Sequence, residues 1–309
     1  MGDSPAGSSA TAVLFPGQGA QAVGMAGDWV AEHPAAARLF ARGSEILGYD
    51  LLELCRSGPA ERLNTTAVSQ PAILVTSLAA LEVQRARDPA PLDAATMTAG
   101  LSLGEYTALV FAGALGFDDA VRVVAERGRA MQDCAEAAPS GMVAVLGMER
   151  DAVAALCDAC RNGGILQIAN VLCPGNIVVS GDRAACGRLE EAATAAGAMK
   201  CVRLEVAGAF HTPLMQPAVE RLTAALAQAE FHPPRIPVVS NVDARPHTDA
   251  AEIRGLLARQ VVGVVEWHDS VAYILSTGVG SVWEIGPGRV LRGLMKRINR
   301  SIATSGVFD

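Results

Sequence analysis

Short apolar runs alternate along the chain with longer segments that have helical periodicity. Thr11–Phe15 is an apolar run that ends at Pro16, which is typical of a buried strand. Helical patterns dominate from there to about residue 87, over Asp28–Gly43 and Pro71–Arg87, and a Pro-rich loop follows at Asp88–Pro91. This alternation predicts an α/β architecture.

A second short strand, Ala95–Ala99, leads into the most informative segment, Gly100-Leu101-Ser102-Leu103-Gly104-Glu105. It fits Gly-x-Ser-x-Gly, the pattern that presents a serine on a tight turn between a strand and a helix. Glycines flank the serine because a Cβ there would clash with the crowded backbone. A helix follows to Ala112, and another spans Phe117–Ala135. This context raises the motif above a chance match and predicts Ser102 as a nucleophile.

From Gly141 the pattern changes to strand, helix, strand, strand, helix, strand. The segments are Met142–Leu146, Arg150–Cys160, Ile165–Asn170, Ile177–Ser180, Arg183–Ala196 and Lys200–Val206. This order is typical of a ferredoxin-like unit. Longer elements resume afterwards: helix Pro213–Ala229, strand Pro237–Asn241, helices Ala251–Gln260 and Trp267–Thr277, strand Ser281–Ile285, and a last helix after Gly288. We therefore predict a subdomain at residues 137–204, inserted between two parts of a large domain at residues 1–136 and 205–309.

Composition narrows the class of protein. The 309 residues are 50% hydrophobic and 18% charged, which is ample for a large core. The net charge of -7 disfavours general nucleic-acid binding. No apolar run approaches the roughly 18 residues of a membrane span, and Met1–Thr11 lacks the apolar region of a secretory signal. We therefore expect a soluble protein.

Cysteine usage points to a reducing compartment, because the chain has seven cysteines without the regular spacing of a disulfide framework. Cys157 and Cys160 form a Cys-x-x-Cys pattern inside an alanine-rich helical stretch. Such a pair can bind a metal or act in redox chemistry, but helix packing is the simpler interpretation.

A serine hydroxyl needs a base to become a nucleophile, so the histidines are the next candidates. The chain has five: His33, His211, His232, His247 and His268. Four of them lie beside prolines or acidic residues and are explained as exposed or locally satisfied. His211 differs because it follows a strand and precedes a helix, where sites form in α/β folds. It is the candidate base.

The loop after the first strand has two interpretations. A tetrahedral oxyanion needs two donors, and the backbone N–H groups of Gln18 and Leu103 can supply them. The same loop, as Gly17-x-Gly19-x-x-Ala22, mimics a dinucleotide fingerprint. The preceding Pro16, and the lack of a second strand that ends in an acidic residue, disfavour nucleotide binding.

Arg127 lies on the helix after Ser102, beside apolar positions at Val121 and Val124. It is either solvated or a buried clamp for an anion. The sequence composition does not decide between these two interpretations of Arg127.

Several motifs in order resemble malonyl-CoA:acyl carrier protein transacylases, over residues 13 to about 296. They are Phe15-Pro16-Gly17-Gln18-Gly19, Gly100-Leu101-Ser102-Leu103-Gly104-Glu105, Glu126-Arg127-Gly128-x-x-Met131-Gln132, Ala209-Phe210-His211 and Glu284-Ile285-Gly286-Pro287-Gly288. The resemblance implies Ser102 as nucleophile, His211 as base, and Arg127 as the guanidinium that pairs with the malonyl carboxylate. It also implies oxyanion donors at Gln18 and Leu103, and a carbonyl at Gln260 that orients the histidine. Positions near the substrate are implied at Met131, Asn170, Phe210 and Asn241.

The resemblance also implies a fold and partners. The fold is an α/β-hydrolase-like large domain with a parallel sheet and an inserted ferredoxin-like subdomain. The implied enzyme has no metal or cofactor of its own and acts as a monomer. It moves malonyl from malonyl-CoA to an acyl carrier protein for fatty acid synthesis. A discrete acyltransferase that serves a polyketide synthase is the alternative, since it uses the same residues. A serine esterase or thioesterase is another class, but it needs an Asp or Glu in a triad and has no use for a carboxylate clamp.

Three details refine this resemblance. Most bacterial members have histidine where this chain has Leu101, and leucine resembles the plastid and cyanobacterial branch. We therefore expect the plastid stroma if the source is a photosynthetic eukaryote, and the cytoplasm otherwise. Phe210 before His211 resembles the malonyl-selective form.

The predicted C-terminal helix places basic residues on one face, namely Arg289, Arg292, Lys296 and Arg300. This face is a candidate docking patch for an acidic carrier protein. An ordinary solvated basic face is the alternative.

Overall fold

The strands form two separate sheets in the computed structural model, which describes residues 10–308. Residues 1–9 and 309 lie outside this range. The prediction for Met1–Thr11 therefore falls almost entirely outside the described residues, as do the outer ends of the predicted large domain.

The strands of the described residues are β1 Thr11–Phe15, β2 Ala95–Gly100, β3 Ser140–Leu146, β4 Leu166–Cys173, β5 Asn176–Asp182, β6 Lys200–Arg203, β7 Val238–Val239, β8 Pro246–His247, β9 Ser281–Glu284 and β10 Ala303–Gly306. The helices are α1 Trp29–Glu32, α2 Pro34–Leu47, α3 Leu51–Ser57, α4 Ala60–Leu63, α5 Thr66–Arg87, α6 Ala90–Asp93, α7 Gly104–Phe111, α8 Phe117–Ala137, α9 Arg150–Arg161, α10 Arg183–Ala195, α11 Gln216–Gln228, α12 Ala250–Gln260, α13 Trp267–Ser276 and α14 Val290–Ile298, with a 3₁₀ helix at Pro213–Met215.

The larger sheet has the order β10-β9-β1-β2-β7-β8, with the first five strands parallel and β8 antiparallel at the edge. All of β1 is buried, because helices cover both faces of a parallel sheet. The carboxyl ends of β1 and β2 meet at one edge, where the N–H of Leu101 donates to the carbonyl of Phe15 at 3.0 Å. The loops that carry Gln18 and Ser102 therefore lie side by side.

The smaller sheet is antiparallel, with the order β4-β5-β3-β6. Its elements follow the predicted order of strand, helix, strand, strand, helix, strand. Cys157 and Cys160 are packed in the core of this unit, which matches the packing interpretation. Two backbone hydrogen bonds tie β4 to the loop before α13: the N–H of Val171 donates to Val265 at 3.0 Å, and Val265 donates to Ala169 at 2.8 Å. They fix the small sheet against the large one and leave a cleft between them.

Several predicted bounds were wrong. The helix predicted at Asp28–Gly43 is broken between α1 and α2, because Pro34 has no N–H to donate and holds His33 extended, at φ -122° and ψ 97°. The last predicted strand of the small sheet stops at Arg203, and β7 keeps only Val238–Val239 of the range predicted at Pro237–Asn241. Part of the predicted Pro-rich loop forms α6.

Helix α5 corrects the prediction about apolar runs. It begins at Thr66, contains Pro71, and has 22 residues with a mean hydropathy of 1.3 in its most apolar window. By length and composition alone it is able to cross a membrane. However, 89% of that window is buried inside the protein, on all sides of the helix. An apolar helix that is covered on every face is a core helix.

Candidate active site

Ser102 lies on the turn between β2 and α7 with a positive φ of 49°. The predicted need for glycines is confirmed. A Cβ on Gly100 would lie 1.8 Å from the carbonyl carbon of Gly104, and a Cβ on Gly104 would lie 2.2 Å from the carbonyl oxygen of Phe15. The backbone is thus crowded on both sides of Ser102, and its half-buried side chain projects from the turn.

The side chain of Asn241 holds this turn through two hydrogen bonds to its backbone. Its Oδ1 accepts from the N–H of Ser102 at 2.6 Å, and its Nδ2 donates to the carbonyl of Gly100 at 2.8 Å. The side chain is completely buried and does not line the cavity beside Ser102. Both polar ends of this amide are bonded to the turn, so Asn241 supports the nucleophile, and its position near the substrate stays a prediction.

His211 lies against the nucleophile. Its Nε2 is 3.0 Å from Ser102 Oγ, and its Nδ1 is 2.8 Å from the carbonyl oxygen of Gln260. A carbonyl only accepts, so Nδ1 carries the proton and Nε2 is left as the acceptor. Gln167 donates to the carbonyl of His211 at 3.0 Å and fixes this backbone, whose φ is 61°. A backbone carbonyl therefore takes the place of the acidic residue of a triad.

Arg127 is buried, with 1% of its surface exposed, which rules out the solvated alternative. Its Nη1 donates to Gln70 Oε1 at 2.6 Å. Its Nη2 donates to Gln260 Oε1 and to Ser102 Oγ, both at 3.0 Å. The guanidinium also lies 5.5 Å from the ring centre of Tyr106. No carboxylate forms a salt bridge with it among residues 10–308, so the site holds a cation suited to an incoming anion.

Burial and the neighbouring cation keep the base neutral. Desolvation, and then the charge of Arg127, lower the pKa of His211 from 6.5 to about 4. Burial also lowers the pKa of Arg127. An uncharged imidazole at neutral pH is able to take a proton from Ser102.

Glu105, Gln70 and Gln167 are residues of the site that the sequence analysis missed. Glu105 is buried and accepts from the N–H of Asn241 at 3.0 Å and from Gln260 Nε2 at 2.7 Å. Burial raises its pKa to about 7. Its signal was an acidic residue directly after the serine motif, whereas nothing in the sequence marks Gln70.

Seven of the predicted site residues line a cavity of about 140 Å³ between the two sheets, whereas Leu103, Asn241 and Gln260 do not. Its walls include Gln18, Ser102, Arg127, Met131, Asn170, Phe210 and His211, and Leu101 also faces it. A larger cavity of about 680 Å³ lies elsewhere, at the start of β2 near Ala95 and Arg235. The smaller cavity is the better candidate, because it alone of the two contains a nucleophile, a base and a buried cation.

Of the two predicted oxyanion donors, Gln18 lines this cavity, and Leu103 directly follows Ser102 in the chain. A Cβ on Gly17 would lie 2.3 Å from the carbonyl oxygen of Leu101, so the loop of Gln18 touches the turn of Ser102. Within the described residues, the N–H groups of Gln18 and Leu103 have no hydrogen-bond acceptor. Two unused donors beside a nucleophile suit a developing oxyanion.

The other four histidines do not line the cavity that contains Ser102. His247 is buried and paired with Asp243 and Glu252, both at 3.1 Å, so it is locally satisfied. No group of three or more possible metal ligands occurs within residues 10–308.

The basic face predicted on the last helix needs correction. Arg292 does not belong to an exposed face, because it packs on Glu284 and has 13% of its side chain exposed.

Comparison with known proteins places this chain among acyltransferases. A family model described as acyl transferase domain matches residues 13–304. A malonyl CoA-acyl carrier protein transacylase of Salmonella typhimurium is 42% identical over 301 residues, which cover 96% of each chain. An acyl carrier protein S-malonyltransferase from Vibrio cholerae, solved as a crystal structure, is 39% identical and superposes with a TM-score of 0.91 over 96% of each chain. A malonyl-transacylase solved with a type II PKS acyl-carrier protein has 39% identity and a TM-score of 0.93, covering 97% of this chain and 96% of that one.

Proposed function

The chain belongs to the acyl transferase family, and from this premise we propose that it transfers a malonyl group from malonyl-CoA to an acyl carrier protein. The enzyme is a malonyl-CoA:acyl carrier protein S-malonyltransferase that serves fatty acid synthesis. One observation carries the proposal: Arg127, a buried cation without a carboxylate partner among the described residues, donates to the oxygen of the nucleophile.

The first half-reaction loads the serine. Nε2 of His211 takes the proton of Ser102 Oγ as the oxygen attacks the malonyl thioester carbon. The N–H groups of Gln18 and Leu103 stabilise the resulting oxyanion. When the C–S bond breaks, His211 returns the proton to the coenzyme A thiolate. The product is a malonyl ester on Ser102.

The second half-reaction reverses these roles. The phosphopantetheine thiol of the carrier gives its proton to His211 and attacks the ester carbon. The C–O bond to Ser102 breaks, and the serine recovers its proton from His211. Neither half needs a metal or redox group: the reactants added are one thioester, malonyl-CoA, and one thiol, that of the carrier protein.

Arg127 selects the donor. Its planar fork forms two parallel hydrogen bonds with a carboxylate, which an acetyl group does not offer. Met131, Asn170 and Phe210 line the same cavity and shape the space around the malonyl group. Without a donor anion, a buried guanidinium is costly by several kcal/mol. Malonyl is therefore favoured over acetyl.

A second candidate is an acyltransferase that feeds a polyketide carrier, and the similarity to the transacylase solved with a PKS carrier favours it. The chemistry is the same in both. A simple esterase is disfavoured, since the partner of His211 Nδ1 is the carbonyl of Gln260, not a carboxylate.

The finer architecture is also part of the proposal. The sheet order β4-β5-β3-β6, with helices α9 and α10, supports a ferredoxin-like subdomain at residues 137–204. The turn between β2 and α7 supports an α/β-hydrolase-like large domain at residues 1–136 and 205–309. We also propose that the enzyme acts as a monomer. It resides in the plastid stroma if the source is a photosynthetic eukaryote, and otherwise in the cytoplasm.

Intact-mass spectrometry after addition of malonyl-CoA tests the proposal. The wild-type protein should gain one malonyl group and lose it when an acyl carrier protein bearing phosphopantetheine is added. Ser102→Ala should gain none, and Arg127→Ala should load malonyl and acetyl with similar rates. Arg127→Lys is the matched variant that keeps the charge but not the fork. A malonyl adduct on Ser102→Ala would refute the assignment of the nucleophile.

A further inference from the structure

Gln260 contacts three functional groups through three different atoms. Its backbone carbonyl accepts from His211 Nδ1 at 2.8 Å. Its side-chain Oε1 accepts from Arg127 Nη2 at 3.0 Å, and its Nε2 donates to Glu105 Oε2 at 2.7 Å. The residue is completely buried, so these contacts are not shared with bulk water. Gln260 therefore links the base, the specificity cation and a buried carboxylate.

The orientation of the Gln260 amide depends on two acceptors, Glu105 and the backbone carbonyl of Ser102, to which Nε2 also donates at 3.1 Å. A carboxamide has almost the same shape when its oxygen and nitrogen are exchanged, so its partners decide which way it faces. An ionised carboxylate only accepts hydrogen bonds, which requires Nε2 of Gln260 to face Glu105. The oxygen Oε1 is then forced to face Arg127, where a guanidinium only donates. Glu105 and Arg127 are thus the two fixed ends of a chain through one amide.

This chain of hydrogen bonds meets two opposing requirements at Arg127, stabilisation of the buried cation and access for the donor carboxylate. A carboxylate in direct contact with Arg127 would stabilise the buried cation, but it would also compete with the carboxylate of the donor. With the amide of Gln260 placed between them, the charge of Glu105 polarises the amide towards Arg127 and leaves the guanidinium without a carboxylate. The low polarity of the interior strengthens such a chain of hydrogen bonds.

We propose that Glu105 is a positioning residue for donor selection: through the amide of Gln260 it holds Arg127 in the orientation that receives a malonyl carboxylate. This inference rests on the proposed function, because it assigns the role of Glu105 in the same reaction. Glu105 does not line the cavity and does not touch the donor.

A purely structural role is the competing explanation. Glu105 also accepts from the N–H of Asn241 at 3.0 Å, and Asn241 holds the turn of Ser102. Loss of that support would displace the nucleophile and slow every acyl donor equally. Loss of the contact to Gln260 acts on Arg127 and slows only donors that carry an anion. The ratio of kcat/KM for malonyl-CoA to kcat/KM for acetyl-CoA, called the donor ratio below, therefore separates the two explanations.

The test compares kcat/KM for malonyl-CoA and acetyl-CoA in the wild type and in Glu105→Gln. The glutamine keeps the shape but removes the charge and offers a donor as well as an acceptor. We expect malonyl transfer to fall about tenfold or more, as small misplacements of a binding group do, while acetyl transfer changes little. Glu105→Asp, which keeps the charge, should partly restore the ratio.

The matched control is Glu284→Gln, because Glu284 is also a buried carboxylate that accepts from backbone N–H groups, those of Leu291 and Arg292, both at 2.9 Å. This control should lower stability without changing the donor ratio. Thermal unfolding of each variant shows whether it is folded.

The dependence of the donor ratio on pH gives a second readout. Since burial raises the pKa of Glu105 to about 7, the malonyl preference of the wild type should decline as the pH falls through 7. The titratable and charged groups around it are Arg127, Tyr106 and His247, and all remain in Glu105→Gln. In that variant the decline should be absent.

An unchanged donor ratio in folded Glu105→Gln, or equal losses for both donors, would overturn the inference and leave the proposed function intact. A wild-type protein that transfers no malonyl group would instead refute the proposed function itself.

Discussion

His211 shows how burial adjusts a single residue to its task. Its side chain is 4% exposed, it donates Nδ1 to a backbone carbonyl, and Arg127 lies close by. Burial and then the charge of Arg127 disfavour the imidazolium and lower the pKa to about 4, while the hydrogen bond to the carbonyl opposes this shift. The proton-accepting form is therefore present throughout the neutral range, and the rate of serine loading should depend on this group only in acid.

The same shift predicts how stability depends on pH. The folded pKa of His211, about 4, lies below the ordinary value of 6.5. The contribution of the neutral imidazole to the free energy of unfolding is therefore complete above pH 6.5 and is lost as the pH falls towards 4. Each pKa unit corresponds to about 1.4 kcal/mol, so the buried neutral form accounts for about 3 kcal/mol. We expect the unfolding free energy of the wild type, relative to His211→Gln, to fall by about that amount between pH 7 and pH 4. Urea titrations at both pH values measure it, and a difference that does not change with pH would contradict the shift.

At the scale of elements, the junction of β1, β2 and α7 depends on backbone contact. Gly104 is the first residue of α7, and its Cα faces the carbonyl of Phe15 at the end of β1. A strand, a turn and a helix are brought within contact distance here, which side chains larger than hydrogen prevent. The direction in which Ser102 projects follows from this packing.

Gly104→Ala should therefore harm both stability and activity. Its Cβ would lie 2.2 Å from the oxygen of Phe15, so β1 or α7 must shift. We expect a loss of about 1–3 kcal/mol or more in unfolding free energy, together with slower serine loading. Gly255→Ala is the matched control, since a Cβ there meets no atom within 4 Å in helix α12. That control should be neutral or stabilising by about 0.5–1 kcal/mol. Similar effects of the two substitutions would contradict the argument.

At the scale of the whole molecule, a net charge of -7 gives no general attraction for an acidic carrier protein. Docking therefore needs a local basic surface. Helix α14 ends near the end of strand β4, where Arg297 Nη2 donates to the carbonyl of Pro174 at 3.5 Å. Because Arg292 packs on Glu284, the exposed cations of this region are Arg289, Lys296, Arg297 and Arg300.

We predict that Lys296→Glu with Arg300→Glu raises KM for the carrier protein and weakens its salt dependence. Loading of Ser102 from malonyl-CoA should change much less, because that step does not need the carrier. Steady-state kinetics at several salt concentrations measure both. The control is Arg38→Glu, on the exposed side of helix α2. If the control raises KM as much as the double variant does, the effect is one of net charge and α14 is an ordinary solvated helix.

The sequence by itself determined what depends on neighbouring residues. The turn at Ser102 follows from local glycines, and the order of elements in the small sheet follows from apolar periodicity over short segments. Even the break at Pro34 was marked in the sequence, since proline restricts the residue before it. The short strands β8 and β10 were missed, because strands of 2 and 4 residues are defined by the partner they pair with.

Only the tertiary structure decided the state of residues whose partners are distant in sequence. Arg127 is buried because it meets Gln70, 57 residues before it, and Gln260, 133 residues after it. Asn241 was predicted near the substrate, but packing turned its amide towards the turn of Ser102. Burial, pKa and amide orientation depend on what surrounds a side chain in space, and residue type and local pattern do not contain that information.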